Sequence, residues 1–144
     1  MSFGFDLTFG LCHLALEVIE MPRVIFSDAG KAKGYQPDYH QKTMVQELVN
    51  PGLGSRFLQF RISKMRPGGR DEFHAHPDSE QIMYGLRGRG KVVVGRKTYT
   101  LSKDKFLFIP AGVRHHVENN TKGLFHFIIL WALPPKPVDW VPSK

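Results

Sequence analysis

The chain has 144 residues, 42% of them hydrophobic and 23% charged, with 20 basic against 13 acidic side chains and a formal charge of +7. This length suits one domain with a real core and is too short for two ordinary ones, and the composition excludes a disordered chain. A single cysteine, Cys12, excludes an internal disulfide and agrees with a reducing compartment.

No Lys or Arg precedes Arg23, so the charged n-region of a secretory signal is missing. The apolar run 9–19 is interrupted by His13 and Glu17 and is too short to span a bilayer. The expectation is a cytoplasmic protein with no membrane partner. Leu7, Leu11, Leu14 and Val18 approximate a helical period and predict a short amphipathic helix. Met21 is a second candidate initiator, which would make 1–20 an upstream extension. Residues 30–34 read as loop, and 43–49 as a strand at a sheet edge.

Beyond residue 50 the punctuation is that of an all-β protein. Turn signals fall at 50–54, 66–69, 88–90, 95–97 and 111–112. Between them lie runs rich in β-branched and aromatic residues at 56–64, 81–86, 91–94, 98–101, 106–109 and 125–131. Short strands at this spacing predict a sandwich or barrel. The tail 133–142 carries Pro134, Pro135, Pro137 and Pro142, which suit neither a helix nor a central strand. It reads as an extended arm, with Trp131 and Trp140 as packing anchors rather than ligand contacts.

Basic residues gather at Arg87, Arg89 and Lys91, at Arg96 and Lys97, and at Lys103 and Lys105. They flank turns and alternate with apolar strand positions, and their aromatic neighbours are not interleaved as a base-stacking platform needs. A solvated hairpin surface is the reading, with no nucleic-acid partner.

The chemistry concentrates between Gly68 and Asn119. Gly68 is followed after five residues by His74, Ala75 and His76, then by Glu80, Gln81 and Gly88. Downstream, Asp104 is followed after five residues by Pro110, Gly112, His115 and Asn119. Alternate residues of a strand share a face, so His74 and His76 can aim two imidazoles at one point, and a third ligand must come from elsewhere. By itself such a pair is more often two surface histidines than a metal site. The company of a glycine-rich turn, a following Gln or Glu and a Pro-x-Gly turn ahead of His115 changes that balance.

Together these residues resemble the two sequence motifs of the cupin superfamily, over about fifty central residues. Residues 89–103 separate the two motifs, a short spacing similar to that of small single-domain microbial members. The resemblance implies a jelly-roll β-barrel, divided here into an N-terminal extension with edge strands (1–50), a barrel core with both motifs (51–132) and a Pro-rich C-terminal arm (133–144). It also implies metal ligands at His74, His76, Gln81 and His115, and a homodimer as the assembly. Two positions depart from the pattern. The usual glutamate position falls on Gln81 when Gly88 anchors the alignment, while Glu80 sits at the shorter permitted spacing. Only one of these two neighbours can share a face with the histidines, and Gln81 keeps the spacing to Gly88. Asp104 replaces the glycine that opens the second motif, at a turn that aspartate also tolerates.

Three imidazoles and one side-chain oxygen suit one divalent transition metal (Fe, Mn, Ni, Co, Cu or Zn) and suit Ca or Mg poorly. A neutral amide in place of a carboxylate would leave the ion its full charge, favouring anionic oxygen ligands while weakening the metal–oxygen bond. Gln59, Arg61 and Met83 are placed in the cavity wall, Met83 as apolar lining. His116 is expected to face away from the site, and His126 to lie in core or surface; His13 and His40 receive no role. Fold does not specify reaction. The expected function is a metal-dependent enzyme acting on a small oxygenated or anionic organic molecule, with dioxygenase-type chemistry one option. A non-catalytic small-molecule-binding module is the alternative.

Overall fold

The computed structural model describes residues 24–136, so the helix expected through Leu7 and Val18, Met21 and the anchor Trp140 lie outside the described residues. Within them the chain forms β1 (Gly34–Tyr35), β2 (His40–Val49), β3 (Leu58–Asp71), β4 (Glu80–Arg87), β5 (Arg89–Val94), β6 (Lys97–Ser102), β7 (Phe106–Ile109), β8 (His115–Glu118) and β9 (Phe125–Ala132). The expected strands all appear, most of them lengthened by one to several residues. β8 is an addition, in a segment too short and too polar to read as a strand by composition.

Neighbouring strands run in the order β6-β5-β8-β3-β9-β4-β7, with β2 also paired to β3 and β1 to β2. The result is the nearly closed barrel of a jelly roll. The corner that makes it close lies in β3. Residues Leu58 to Met65 pair with β9, whereas Arg70 pairs with Glu118 of β8. The predicted turn at 66–69 therefore does not reverse the chain. It is a bulge at which β3 passes from one sheet to the other, the device that turns corners in orthogonal packings. Gly68 adopts φ +72°, its N–H donates to the Asn119 carbonyl at 2.8 Å, and the Asn119 N–H donates to the Gly69 carbonyl at 2.8 Å.

Alternation along the strands decides what lies inside. On β9, Phe125, Phe127, Ile129 and Trp131 are buried, and on β4 Gln81 and Met83 are buried. The apolar ones among these, with Met65, Val92, Leu101, Ile109 and Val117, make one core. Phe125 and Phe127 stack at 4.5 Å between centroids. The remaining inward positions carry His74, His76, Gln81, Arg61 and His115, so polar groups that the core cannot accept are gathered together. Gly88 holds φ +70°, and a Cβ there would collide with the Leu124 carbonyl, which explains why the first motif ends on glycine. Asp104 likewise takes a left-handed conformation, φ 63°, in the turn where it replaces glycine.

Candidate metal centre

His74 and His76 follow β3 directly, and His115 opens β8. The expected strand carrying both histidines is in fact a short bridged segment, with His74 paired to His115 as an isolated antiparallel bridge. The local backbone remains extended, so His74 and His76 are both buried while Ala75 between them is not. The turn through Gly112, φ +75°, is fastened to the same segment by its N–H, which donates to the His76 carbonyl at 2.8 Å. The two motifs thus meet through main-chain bonds before any side chain is considered.

The three rings converge. Centroids of His74 and His115 are 4.4 Å apart, those of His74 and His76 4.9 Å, and those of His76 and His115 5.5 Å. One ring nitrogen from each falls within 4.8 Å of the others. Two metal–nitrogen bonds of ~2.1 Å span at most about 4.2 Å, so a small inward movement of the rings brings all three onto one ion. The tautomers are already chosen. His74 Nδ1–H donates to the Glu72 carbonyl at 2.7 Å and His115 Nδ1–H to the Val113 carbonyl at 2.8 Å, which leaves each Nε2 lone pair directed elsewhere.

Burial disfavours the imidazolium form, and each ring also suffers from its neighbours. His74 is lowered to about 2 by burial and then by His115, and His76 to about 3 by burial and then by His115. His115 is lowered too, chiefly by burial. All three are neutral at physiological pH, the protonation state that coordination requires.

Gln81 stands opposite them. It faces inward on β4, in register with Trp131 and Ile109, whereas Glu80 is exposed on the other face. Its Nε2–H donates to His115 Nε2 at 2.5 Å. Turning the amide end for end would put its oxygen at that point, an arrangement favoured when a cation lies between the two groups. The donor set of three neutral nitrogens and one amide oxygen fits a transition metal and would be a poor cage for Ca or Mg.

Behind the histidines the barrel wall opens to a cavity of about 320 Å³ whose lining includes Tyr35, Tyr39, Glu47, Gln59, Arg61 and Trp131. The histidines do not line it; Trp131 is the shared partition, edge-on to His76 at 5.8 Å and 90°. Trp131 is therefore a packed residue of the barrel interior, with Pro135 of the following segment lining the same cavity. Gln59 and Arg61 take the expected place in the cavity wall, whereas Met83 does not line this cavity and is buried in the apolar core, 1% exposed. Tyr35, Tyr39 and Glu47 carried no motif, and no local pattern marks them. Glu47 reaches the cavity because β2 pairs with β3, which sets it opposite Arg61, and Tyr35 because β1 pairs with β2.

The other histidines separate clearly. His116 is half-buried against Phe73, 4.1 Å between centroids, and His126 sits on the outer face in register with Lys64 and Arg87. His40 is buried beside Asp71, 3.9 Å between Nε2 and Oδ2. Arg87, Arg89, Arg96, Lys97, Lys103 and Lys105 are all exposed, and Lys91 is half-buried beside Glu118. Among the described residues no helix is long and apolar enough to cross a membrane.

Comparison with known proteins places this geometry in a family. The model for the cupin domain matches residues 61–132. A protein named polyketide synthase CurC, from Streptomyces cyaneus, is 33% identical over 123 residues, covering 81% of this chain and 73% of that protein. The structure of the polyketide cyclase RemF from Streptomyces resistomycificus superposes with TM-score 0.73 at 19% identity, over 85% of this chain and 88% of that one. A predicted oxalate decarboxylase from Thermotoga maritima superposes with TM-score 0.69 at 17% identity, over 76% of this chain and 100% of that one. Both motif segments and the converging histidines fall inside the matched region, and the chain belongs to the cupin domain family.

Proposed function

We propose that this protein is a metal-dependent enzyme acting on an oxygenated, enolisable organic molecule, with His74, His76, Gln81 and His115 as the metal ligands. The convergence of three buried, neutral histidines supports this reading more than any other observation. A bound divalent ion would polarise a carbonyl or enolate oxygen as a Lewis acid. The chain's own part is to fix the ring orientations through the Glu72 and Val113 carbonyls and to keep water away with Met83, Ile129 and Trp131. The name of RemF, a polyketide cyclase, favours ring closure of a polyketide over dioxygen chemistry, and CurC is named a polyketide synthase.

A homodimer acting in the cytoplasm belongs to the same reading. The dimer is supported by the apolar outer face around the edge strand β7, where Phe106 and Phe108 stand exposed beside Tyr84 and Ile82.

Metal content, measured by inductively coupled plasma mass spectrometry on protein purified without chelator, tests the proposal. About one equivalent of a transition metal is expected, lost in His76→Ala, together with turnover of a polycarbonyl substrate that the variant lacks. Absence of metal after reconstitution would leave the non-catalytic binding module as the better account.

A further inference from the structure

Arg61 is a buried cation that the metal ligands do not explain. It is 5% exposed, and among the described residues no carboxylate comes within ion-pair reach of it. Burying a guanidinium without a direct counter-ion is costly. Its face lies on Trp131, 4.2 Å from Cζ to the ring, and its Nε is buried with no acceptor among the described residues. The Trp131 Nε1–H is buried with no acceptor as well. Two touching side chains therefore each hold an unanswered donor, and both line the same cavity.

Tyr35 hydrogen-bonds the Arg61 guanidinium, and Glu47 and Asp71 act on it through space, but none of them accepts from Arg61 Nε or Trp131 Nε1. Glu47 Oε1 accepts the Tyr35 hydroxyl at 2.6 Å and Gln59 Nε2–H at 3.0 Å, and its Oε2 accepts Asn50 Nδ2–H at 3.2 Å. Its oxygens are thus engaged by neutral donors. Burial brings Arg61 down to about 10, which still leaves it cationic at neutral pH.

We propose that Arg61 and Trp131 form an oxyanion-binding subsite for a planar, multiply oxygenated ligand, holding one carboxylate or enolate oxygen in the cavity that Trp131 separates from the histidine cluster. Three features set the substrate class. A cavity of about 320 Å³ is far larger than a two-carbon diacid needs and falls within the ~300–1,000 Å³ of ordinary small-molecule pockets. Tyr35, Tyr39 and Trp131 supply ring faces, which favour a flat ligand. Arginine's fork of donors matches a carboxylate better than any neutral group does.

The test uses rhein, a dihydroxyanthraquinone carboxylate, and chrysazin, the same molecule without the carboxylate. Binding is measured by isothermal titration calorimetry on wild type, Arg61→Gln, Arg61→Lys and Trp131→Phe, each checked by thermal melt and metal content. Wild type is expected to prefer rhein by roughly tenfold or more, a preference abolished in Arg61→Gln and cut by ~3-fold or more in Trp131→Phe, with chrysazin affinity little changed. No binding of either probe, no preference in wild type, or equal weakening of both probes in a well-folded Arg61→Gln would overturn the subsite. Should Arg61→Gln fail to fold, full preference retained in both Arg61→Lys and Trp131→Phe would overturn it. A rhein preference in protein that takes up no metal would keep the subsite and sink the metalloenzyme reading. Bound metal without the preference would do the reverse.

Discussion

His74 and His115 exchange both main-chain hydrogen bonds, His74 N–H to His115 carbonyl at 3.0 Å and His115 N–H to His74 carbonyl at 2.9 Å. Each ring also donates its Nδ1–H to the carbonyl two residues earlier in its own chain. One bridge therefore fixes the separation of the two rings, and two equivalent local bonds fix which nitrogen each presents. The histidine cluster is organised by backbone bonds, so a metal ion would meet little ordering cost there.

The fourth position is where charge can be altered without moving the rings. Gln81→Glu is expected to bind zinc roughly tenfold tighter, about 1.4 kcal/mol, because a carboxylate bonds the ion more strongly than an amide. Glu80→Gln, on the outer face, is expected to change affinity less than about twofold. Competition against a chelating dye measures both. An effect at Glu80 with none at Gln81 would reverse the assignment of the inward residue.

Acid should unfold the metal-free protein early. His40, His74, His76 and His115 all have folded values below their ordinary one, His40 at about 4 through burial. Below about pH 6.5 the unfolded chain binds protons that the folded chain refuses, so stability falls as pH drops towards the folded values. At pH 5 each refused proton costs up to about 2 kcal/mol. Asp71 acts in the opposite sense: burial raises it to about 7, so its neutral form is favoured in the fold and its contribution weakens as pH rises from about 4 to 7. Four histidines outweigh one carboxyl, and Tm of chelator-treated protein is expected to fall by at least roughly 10 °C between pH 7 and 5. A flat profile would mean that the histidines are solvated.

Asp71 also has a structural duty, since its Oδ1 accepts the buried Val117 N–H at 2.5 Å. Asp71→Ala leaves that donor unanswered and is expected to cost about 1–3 kcal/mol in urea unfolding. Asp71→Asn keeps an acceptor there and is expected to cost less. Equal losses in the two variants would show that charge, not the hydrogen bond, is what β8 requires.

Asn119 closes the second motif without touching the histidines. Fully buried, it donates from Nδ2 to the Met65 carbonyl at 3.0 Å and to the Gly123 carbonyl at 2.8 Å, and its Oδ1 accepts Thr121 Oγ1–H at 2.7 Å. It ties the turn before β9 to the start of the β3 bulge. Asn119→Ala is expected to destabilise by about 2–4 kcal/mol while leaving metal stoichiometry at saturation unchanged. Loss of metal from folded Asn119→Ala would instead give the residue a part in the site.

The sequence alone determined the strand pattern, the pairing of both motifs with a cupin barrel and the set from which any ligands must come. Period-two alternation, turn residues and fixed spacings are local, and local signals survive in one dimension. It could not decide between Glu80 and Gln81 by composition, because that choice depends on which face of β4 meets the interior. The tertiary structure decided it by pairing Gln81 with Trp131 and leaving Glu80 exposed. The same holds for 66–69, where a Pro-Gly-Gly turn signal became a bulge because Asn119, far along the chain, takes its hydrogen bonds. It holds most for Tyr35, Glu47 and Arg61, ordinary residues in ordinary strands until the β1–β2 and β2–β3 registers set them around one cavity. Contacts made across strands leave no periodic trace in the sequence, and only folding gives them meaning.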